Sequence, residues 1–167
     1  MINKDIELHL GYRKCGKSEV VEKTLIQNNT KVYIGTLPRI SVYRETIRTH
    51  IERRGNEWVT IDLNFNFEED LCLINTTLSA LPETTACMID GIWTWYVFSN
   101  SIKQVSPEFF AHSLCELIKN NCYVWRIVDI ANYVFDLNDR DRQIIEIIHD
   151  FLVKELDINK IIDYKYE

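Results

Sequence analysis

The chain has 167 residues, 46% of them hydrophobic and 26% charged, with a formal net charge of −6. That length suits a single domain, 1–167, with a substantial core. The acidic balance argues against a broadly basic surface, so no nucleic-acid partner is expected.

The five cysteines (Cys15, Cys72, Cys87, Cys115, Cys122) are odd in number and scattered, and no CxxC pair occurs. Neither a zinc knuckle nor a disulfide framework follows, and free thiols packed as small hydrophobes are expected. The first residues lack the apolar stretch of a signal peptide, and no window is apolar for long enough to span a membrane. The expected location is the reducing cytoplasm.

In chain order, "DIELHLG" alternates and reads as a strand. "SEVVEKTLIQNN" reads as a helix with Val20, Val21, Thr24 and Leu25 on its apolar face, stopped by "NNT". "KVYIGT" is a second strand. In "PRISVYRETIRTHIERRGNEW", Ile40, Tyr43, Ile47 and Ile51 recur at helical spacing, and Gly55 ends the helix. "WVTIDL" is a third strand, "NFEEDLCLINTTLSAL" a helix, and "TACMIDGIW" a buried strand ending on Asp90 and Gly91.

The aromatic run "IWTWYVF" reads as a core strand, a subunit interface or an aromatic ligand wall, with core or interface preferred because aromatics dominate both. "SPEFFAHSLCELIKNN" opens with a serine cap and a proline at the first helical position, and its apolar face runs through Phe109, Phe110, Leu114 and Leu117. "CYVWRIVDI" is a strand. "NDRDRQIIEIIHDFLVKELD" is an amphipathic helix, and "KIIDYKY" a last strand. Strands alternating with helices predict an α/β fold, a mostly parallel sheet flanked by helices on both faces.

Between the first strand and first helix stands "GYRKCGKS", two glycines bracketing four residues and followed by lysine and serine. Such a loop points successive backbone N–H groups at phosphate oxygens. Gly11, Tyr12, Arg13, Lys14, Cys15 and Gly16 would form the cradle. Lys17 would reach the β- and γ-phosphates, and the Ser18 hydroxyl would hold Mg²⁺. Asp90, at the end of a buried strand, is the acidic partner for that metal. The expected fold is a three-layer P-loop NTPase-like arrangement.

A second constellation lies in "YIGTLPRISVYRETIRTHIERRGNEWVTID". With the phosphate loop it resembles the adenosylcobinamide kinase / adenosylcobinamide-phosphate guanylyltransferase family of cobalamin biosynthesis. That family carries Tyr-Ile-Ala-Thr on a strand, then Arg-Ile-x-x-His-x-x-x-Arg-x-x-x-Trp-x-Thr and an acidic residue two positions on. Here Tyr33, Ile34, Gly35 and Thr36 match the strand, and Ile47, His50, Arg54, Trp58, Thr60 and Asp62 match the rest without a gap. The arginine before the isoleucine is Thr46 here. The later motifs also depart: "MIDGIWTWYVFSN" keeps an acidic residue but lacks the family's threonine-asparagine pair, and "VWRIVDIAN" replaces Ser/Thr-Asn-Glu-Val-Gly.

The resemblance implies that His50 is guanylylated by GTP and that Arg54 steadies phosphate oxygens, with Arg44, Arg48 and Arg53 as further candidates. It adds Thr36 and Asp62 to the nucleotide site, makes Trp58 a structural anchor, and implies ATP or GTP with Mg²⁺ as cofactors. A corrinoid is the implied substrate and a homotrimer the implied assembly. The alternatives are a P-loop kinase for another small molecule with His50 inert, and a non-catalytic nucleotide-binding protein. His9 reads as a strand residue, His112 as solvated and His149 as a packing or capping residue; none has the spacing of a zinc ligand.

Overall fold

A computed structural model describes residues 4–28 and 30–165. Asn29, read as part of a helix stop, and Tyr166, read in the last strand, lie outside the described residues. Six strands form one sheet: β1 (Asp5–Gly11), β2 (Lys31–Gly35), β3 (Trp58–Asp62), β4 (Ala86–Asp90), β5 (Val124–Ile130) and β6 (Lys160–Tyr164). Every pairing is parallel, and the order is β3-β2-β4-β5-β1-β6. The alternation read from the sequence therefore gives the α/β architecture it implied.

Period-two strands send alternate side chains to opposite faces. On one face Ile6, Leu8, Val32, Ile34, Cys87, Ile89, Trp125 and Ile127 pack under four helices, α3 (Phe67–Ser79), α4 (Ile92–Ile102), α5 (Pro107–Lys119) and α6 (Asp139–Leu156). On the other, Tyr33, Ala86, Met88 and Val128 meet Val21 and Leu25 of α1 (Lys17–Thr24). The result is three layers. Side-chain caps fix three helix starts: Asn66 accepts from Glu69 N, Ser106 from Phe109 N and Asn138 from Asp141 N.

Three local expectations change. "IWTWYVF" is helix α4, not a strand. It buries Ile92, Trp93, Trp95, Tyr96 and Ser99, so it is core as preferred, but in helical form. Val20 and Thr24 point outward, and the inner face of α1 is Lys17, Val21 and Glu22. Phe109 is exposed, because α5 turns Phe110, Ala111 and Leu114 inward instead.

The helix that follows β2, α2 (Arg44–Arg54), begins after a 3-10 turn at Ser41–Tyr43. Its one buried residue is Arg54. Ile40 and Ile51 of its apolar stripe stay exposed, and the stripe borders a cavity rather than the core.

Three of the five cysteines, Cys87, Cys115 and Cys122, are buried, and all five are free thiols. Among the described residues no helix is long and apolar enough to cross a membrane.

Candidate nucleotide site

Parallel strands carry their carboxyl ends to one edge of the sheet, and ligands of open α/β folds bind there. Gly11 pairs with Ile130, Gly35 with both Asp62 and Asp90, and Asp90 with Val128, so these positions share that edge. A cavity of about 740 Å³ opens above it. Its wall takes in Arg13, Lys14, Cys15, Gly16, Lys17 and Ser18 of the loop, and Thr36, His50, Arg54, Asp62 and Asp90 from other elements. Gly11 and Tyr12 do not line it. Gly11 is held in the sheet between β5 and β6, and the Tyr12 ring packs edge-on against Tyr133 at 5.1 Å.

The loop is a compact turn. Lys14 (φ 59°) and Gly16 (φ 88°) both adopt the left-handed region, which reverses the chain into α1. Among the described residues no side chain accepts from the first N–H groups of α1, an arrangement that suits an anion at this helix start. Lys17 is 7% exposed and donates from Nζ to the Tyr12 carbonyl at 2.6 Å, folded across its own loop beside the cavity. Arg13 reaches outward to Asp136, with Nη1 2.8 Å from Oδ1.

Ser18 Oγ donates to Asp90 Oδ1 at 2.8 Å. A hydroxyl and a carboxylate at that separation form the hard-oxygen pair that Mg²⁺ accepts alongside phosphate and water. Among the described residues no group of three or more His, Cys, Asp or Glu side chains could form a metal cage.

The second carboxylate oxygen, Oδ2, accepts from the Tyr33 hydroxyl. His50 Nδ1 lies 3.3 Å from that hydroxyl and 3.8 Å from Oδ2. Burial pushes the His50 imidazole below its ordinary pKa, and the Arg53 and Arg54 charges add to this, against the pull of Asp90. A neutral ring follows at pH 7.

The Arg54 guanidinium lies 3.4 Å above the Tyr33 ring centroid. Its Nε and Nη1 are buried with no hydrogen-bond partner among the described residues. Nη1 lies 3.8 Å from Glu22 Oε1, a long ion pair, and the residue lines the cavity wall. Arg53 is committed elsewhere, to Glu22, with Nε 2.6 Å from Oε2. Asp62 is exposed at the rim, where Arg39 pairs with it at 2.8 Å.

Thr36 Oγ1 donates to the Asp90 carbonyl at 2.7 Å, which steadies the end of β4. Gly91 then turns the chain at φ 107°, and a Cβ there would stand 2.7 Å from Thr36 Oγ1. Trp58 is half-buried, edge-on to Tyr33 at 6.4 Å, as an anchor would be.

Several contributors have no role in the sequence reading. Tyr33 was visible only as a motif letter. Asp129 accepts from Trp93 N at 2.9 Å and pairs with His149 Nε2 at 2.6 Å, tying the start of α4 to α6. Trp93, Thr94, Val97 and Phe98 line the cavity from α4, in the run for which a ligand wall was the less preferred reading. The signal for α4 was its length: eleven residues follow Gly91, too many for another strand after a completed one.

Among curated proteins no sequence match is found. A prototypical ATPase from the type III secretion system of pathogenic bacteria is similar in structure, with a TM-score of 0.55 over 86% of this chain at 13% identity. The chain spans 48% of that protein's length, and a likeness at that identity is one of fold. Sequence carries the more specific result. The profile of the cobinamide kinase / cobinamide phosphate guanyltransferase family matches residues 8–130, from within β1 to the end of β5, with the loop, His50 and Asp90 all inside it. On that match the chain belongs to the cobinamide kinase / cobinamide phosphate guanyltransferase family, transferases of cobalamin biosynthesis.

Proposed function

We propose that the protein phosphorylates the side-chain hydroxyl of a corrinoid with ATP or GTP, and then transfers GMP from GTP to that phosphate through a guanylyl-histidine at His50. One observation carries this reading. The loop lysine and serine share a single cavity with His50, and one carboxylate, Asp90, contacts both Ser18 and the Tyr33–His50 pair.

In the kinase step the corrinoid hydroxyl oxygen attacks the γ-phosphorus, the bond from that phosphorus to the β-phosphate oxygen breaks, ADP or GDP leaves with the electron pair, and the hydroxyl proton passes to solvent. Lys17 stabilises the charge on the transferring oxygens, and the amides of the loop orient them. Ser18 and Asp90 would hold Mg²⁺, which when bound offsets the charge on the β- and γ-phosphates.

In the transfer step an imidazole nitrogen of His50 attacks the α-phosphorus and pyrophosphate leaves. Neutral imidazole is the nucleophilic form, and burial of His50 favours it. Arg54 supplies donors to the phosphate oxygens. An oxygen of the corrinoid phosphate then attacks the phosphoramidate and returns the electron pair to nitrogen.

Incubation with GTP and Mg²⁺ followed by intact-mass analysis tests the reading. A GMP adduct that disappears in His50→Ala supports it. An unmodified wild type that still phosphorylates an acceptor favours the second reading, a kinase for another small molecule. That reading has its own observation: where the family places its threonine-asparagine pair, α4 presents Trp93, Val97 and Phe98 to the cavity.

The chain is further read as one functional unit that assembles as a trimer. Ile40, Val42 and Ile51, exposed around α2, supply apolar surface for a neighbouring copy. A sedimentation mass of three chains checks this.

A further inference from the structure

Tyr33 lies midway along β2, flanked by the edge strand β3 and by β4, and is 5% exposed. The Arg54 guanidinium covers one face of its ring. Such a side chain does not move to meet a partner. Its hydroxyl is a fixed point to which more exposed groups are held.

A tyrosine hydroxyl has one proton to give and lone pairs to accept with. Here the proton goes to Asp90 Oδ2. The other Asp90 oxygen already accepts from Ser18. The contact that remains, between the Tyr33 oxygen and His50 Nδ1 at 3.3 Å, can be a hydrogen bond in one direction only: Nδ1 donates and Tyr33 accepts.

We propose that Tyr33 is a positioning residue for His50, fixing the Nδ1–H tautomer and the ring orientation so that the Nε2 lone pair is the nucleophile of guanylyl transfer. This rests on the guanylyl-histidine reading above. A neutral imidazole carries one N–H, and the bond made by one nitrogen decides the state of the other. No hydrogen bond to Nε2 occurs among the described residues, which leaves that nitrogen available.

The step balances. The Nε2 lone pair forms the P–N bond, the α–β P–O bond breaks, and pyrophosphate departs with that electron pair. The proton stays on Nδ1, so the guanylylated ring carries a positive charge, with the Asp90 carboxylate 3.8 Å from Nδ1 in this structure to stabilise it. When an acceptor phosphate oxygen attacks, the P–N bond breaks and the pair returns to Nε2. Proton transfer to solvent is required in neither direction.

The test is NMR of ¹⁵N-histidine-labelled protein, reading the two nitrogens of His50 by long-range ¹H–¹⁵N correlation. Wild type is expected to show a protonated Nδ1 and an unprotonated Nε2, and its GMP adduct a ³¹P–¹⁵N coupling to Nε2. In Tyr33→Phe the Nε2–H tautomer becomes substantially populated. Formation of the adduct from GTP in a single turnover slows about 10- to 100-fold, the scale of a mispositioned reacting group.

A wild-type His50 protonated on Nε2, or an adduct on Nδ1, overturns the inference, and neither result depends on the variant folding. A wild type with the Nδ1–H tautomer that forms no adduct leaves Tyr33 as the orienting group and removes the guanylyl-histidine reading instead. The two ideas therefore fail separately.

Discussion

Ser18 and Asp90 are 72 positions apart in the sequence, yet Ser18 Oγ donates to Asp90 Oδ1 at 2.8 Å. The contact reaches from the start of α1 to the end of β4, past β5, which lies between β4 and the loop strand β1. One short bond thus links the phosphate loop to the acidic strand end. Replacing Asp90 by asparagine keeps the shape and removes the charge. The expected result is a fall in Mg²⁺-dependent nucleotide turnover of about 100-fold or more, the scale seen when one electrostatic stabiliser is lost. A Mg²⁺ titration of turnover, with circular dichroism to verify folding, measures it.

Gly91 is constrained twice, by φ 107° and by the 2.7 Å that would separate a Cβ from Thr36 Oγ1. Gly91→Ala should therefore lower stability by about 1–3 kcal/mol, the usual cost of a strained backbone position. Adding Thr36→Ala should recover only part of it, since the steric clash is relieved and the dihedral strain is not. Urea denaturation of the single and double variants separates the two.

Asp70 holds the entry to α3. It accepts from Asn64 N at 2.9 Å, Phe65 N at 3.1 Å and Trp95 Nε1 at 3.2 Å, while Phe65 is held at φ 68°. Asp70→Ala strands buried donors and should cost about 3 kcal/mol. Asp70→Asn keeps an acceptor oxygen and should cost less. The denaturation midpoints should fall in that order.

His9 is 2% exposed, with Nδ1 at 2.9 Å from the Tyr164 hydroxyl and Nε2 at 3.0 Å from Glu7. Burial lowers its pKa below the ordinary 6.5, Arg126 and Lys160 push the same way, and Glu7 opposes them. The unfolded chain thus binds this proton more readily than the folded one. Stability is full above about 6.5 and declines as pH falls through that value, levelling off once the folded-state pKa is passed. His9→Gln should flatten this decline in denaturation curves taken between pH 7 and acid.

Backbone amides in α2 should exchange with solvent well before those of α5. α2 buries Arg54 alone, whereas α5 buries six residues, and local opening follows the apolar contacts that must be broken. Hydrogen exchange followed by mass spectrometry reads the difference directly.

The strands and the turn between β1 and α1 were legible because their signals are local. Alternation marks β1, and two glycines with a following lysine and serine mark the turn. The acidic strand end was legible too, since Asp90 closes a run of apolar residues. α4 was not, because Ile92 to Phe98 is apolar on nearly every side, and such a run has no period to separate helix from strand. The stripe from Ile40 to Ile51 correctly gave a helix but not its surroundings: periodicity says that one face is apolar and is silent on whether core or cavity lies opposite. Tyr33 was unreadable for a different reason. Its role depends on register, which sets it beside Met88, two residues before Asp90, and under a helix whose His50 it then meets.

That α2 buries only Arg54, and otherwise meets the body through polar contacts such as Arg53 with Glu22 and His50 with Tyr33, has a consequence for change over time. Substitutions along the arm that carries His50 disturb almost none of the scaffold beneath it. New acceptor chemistry could be explored there by drift or by engineering, while the sheet, the loop and the four helices behind them go on folding as before.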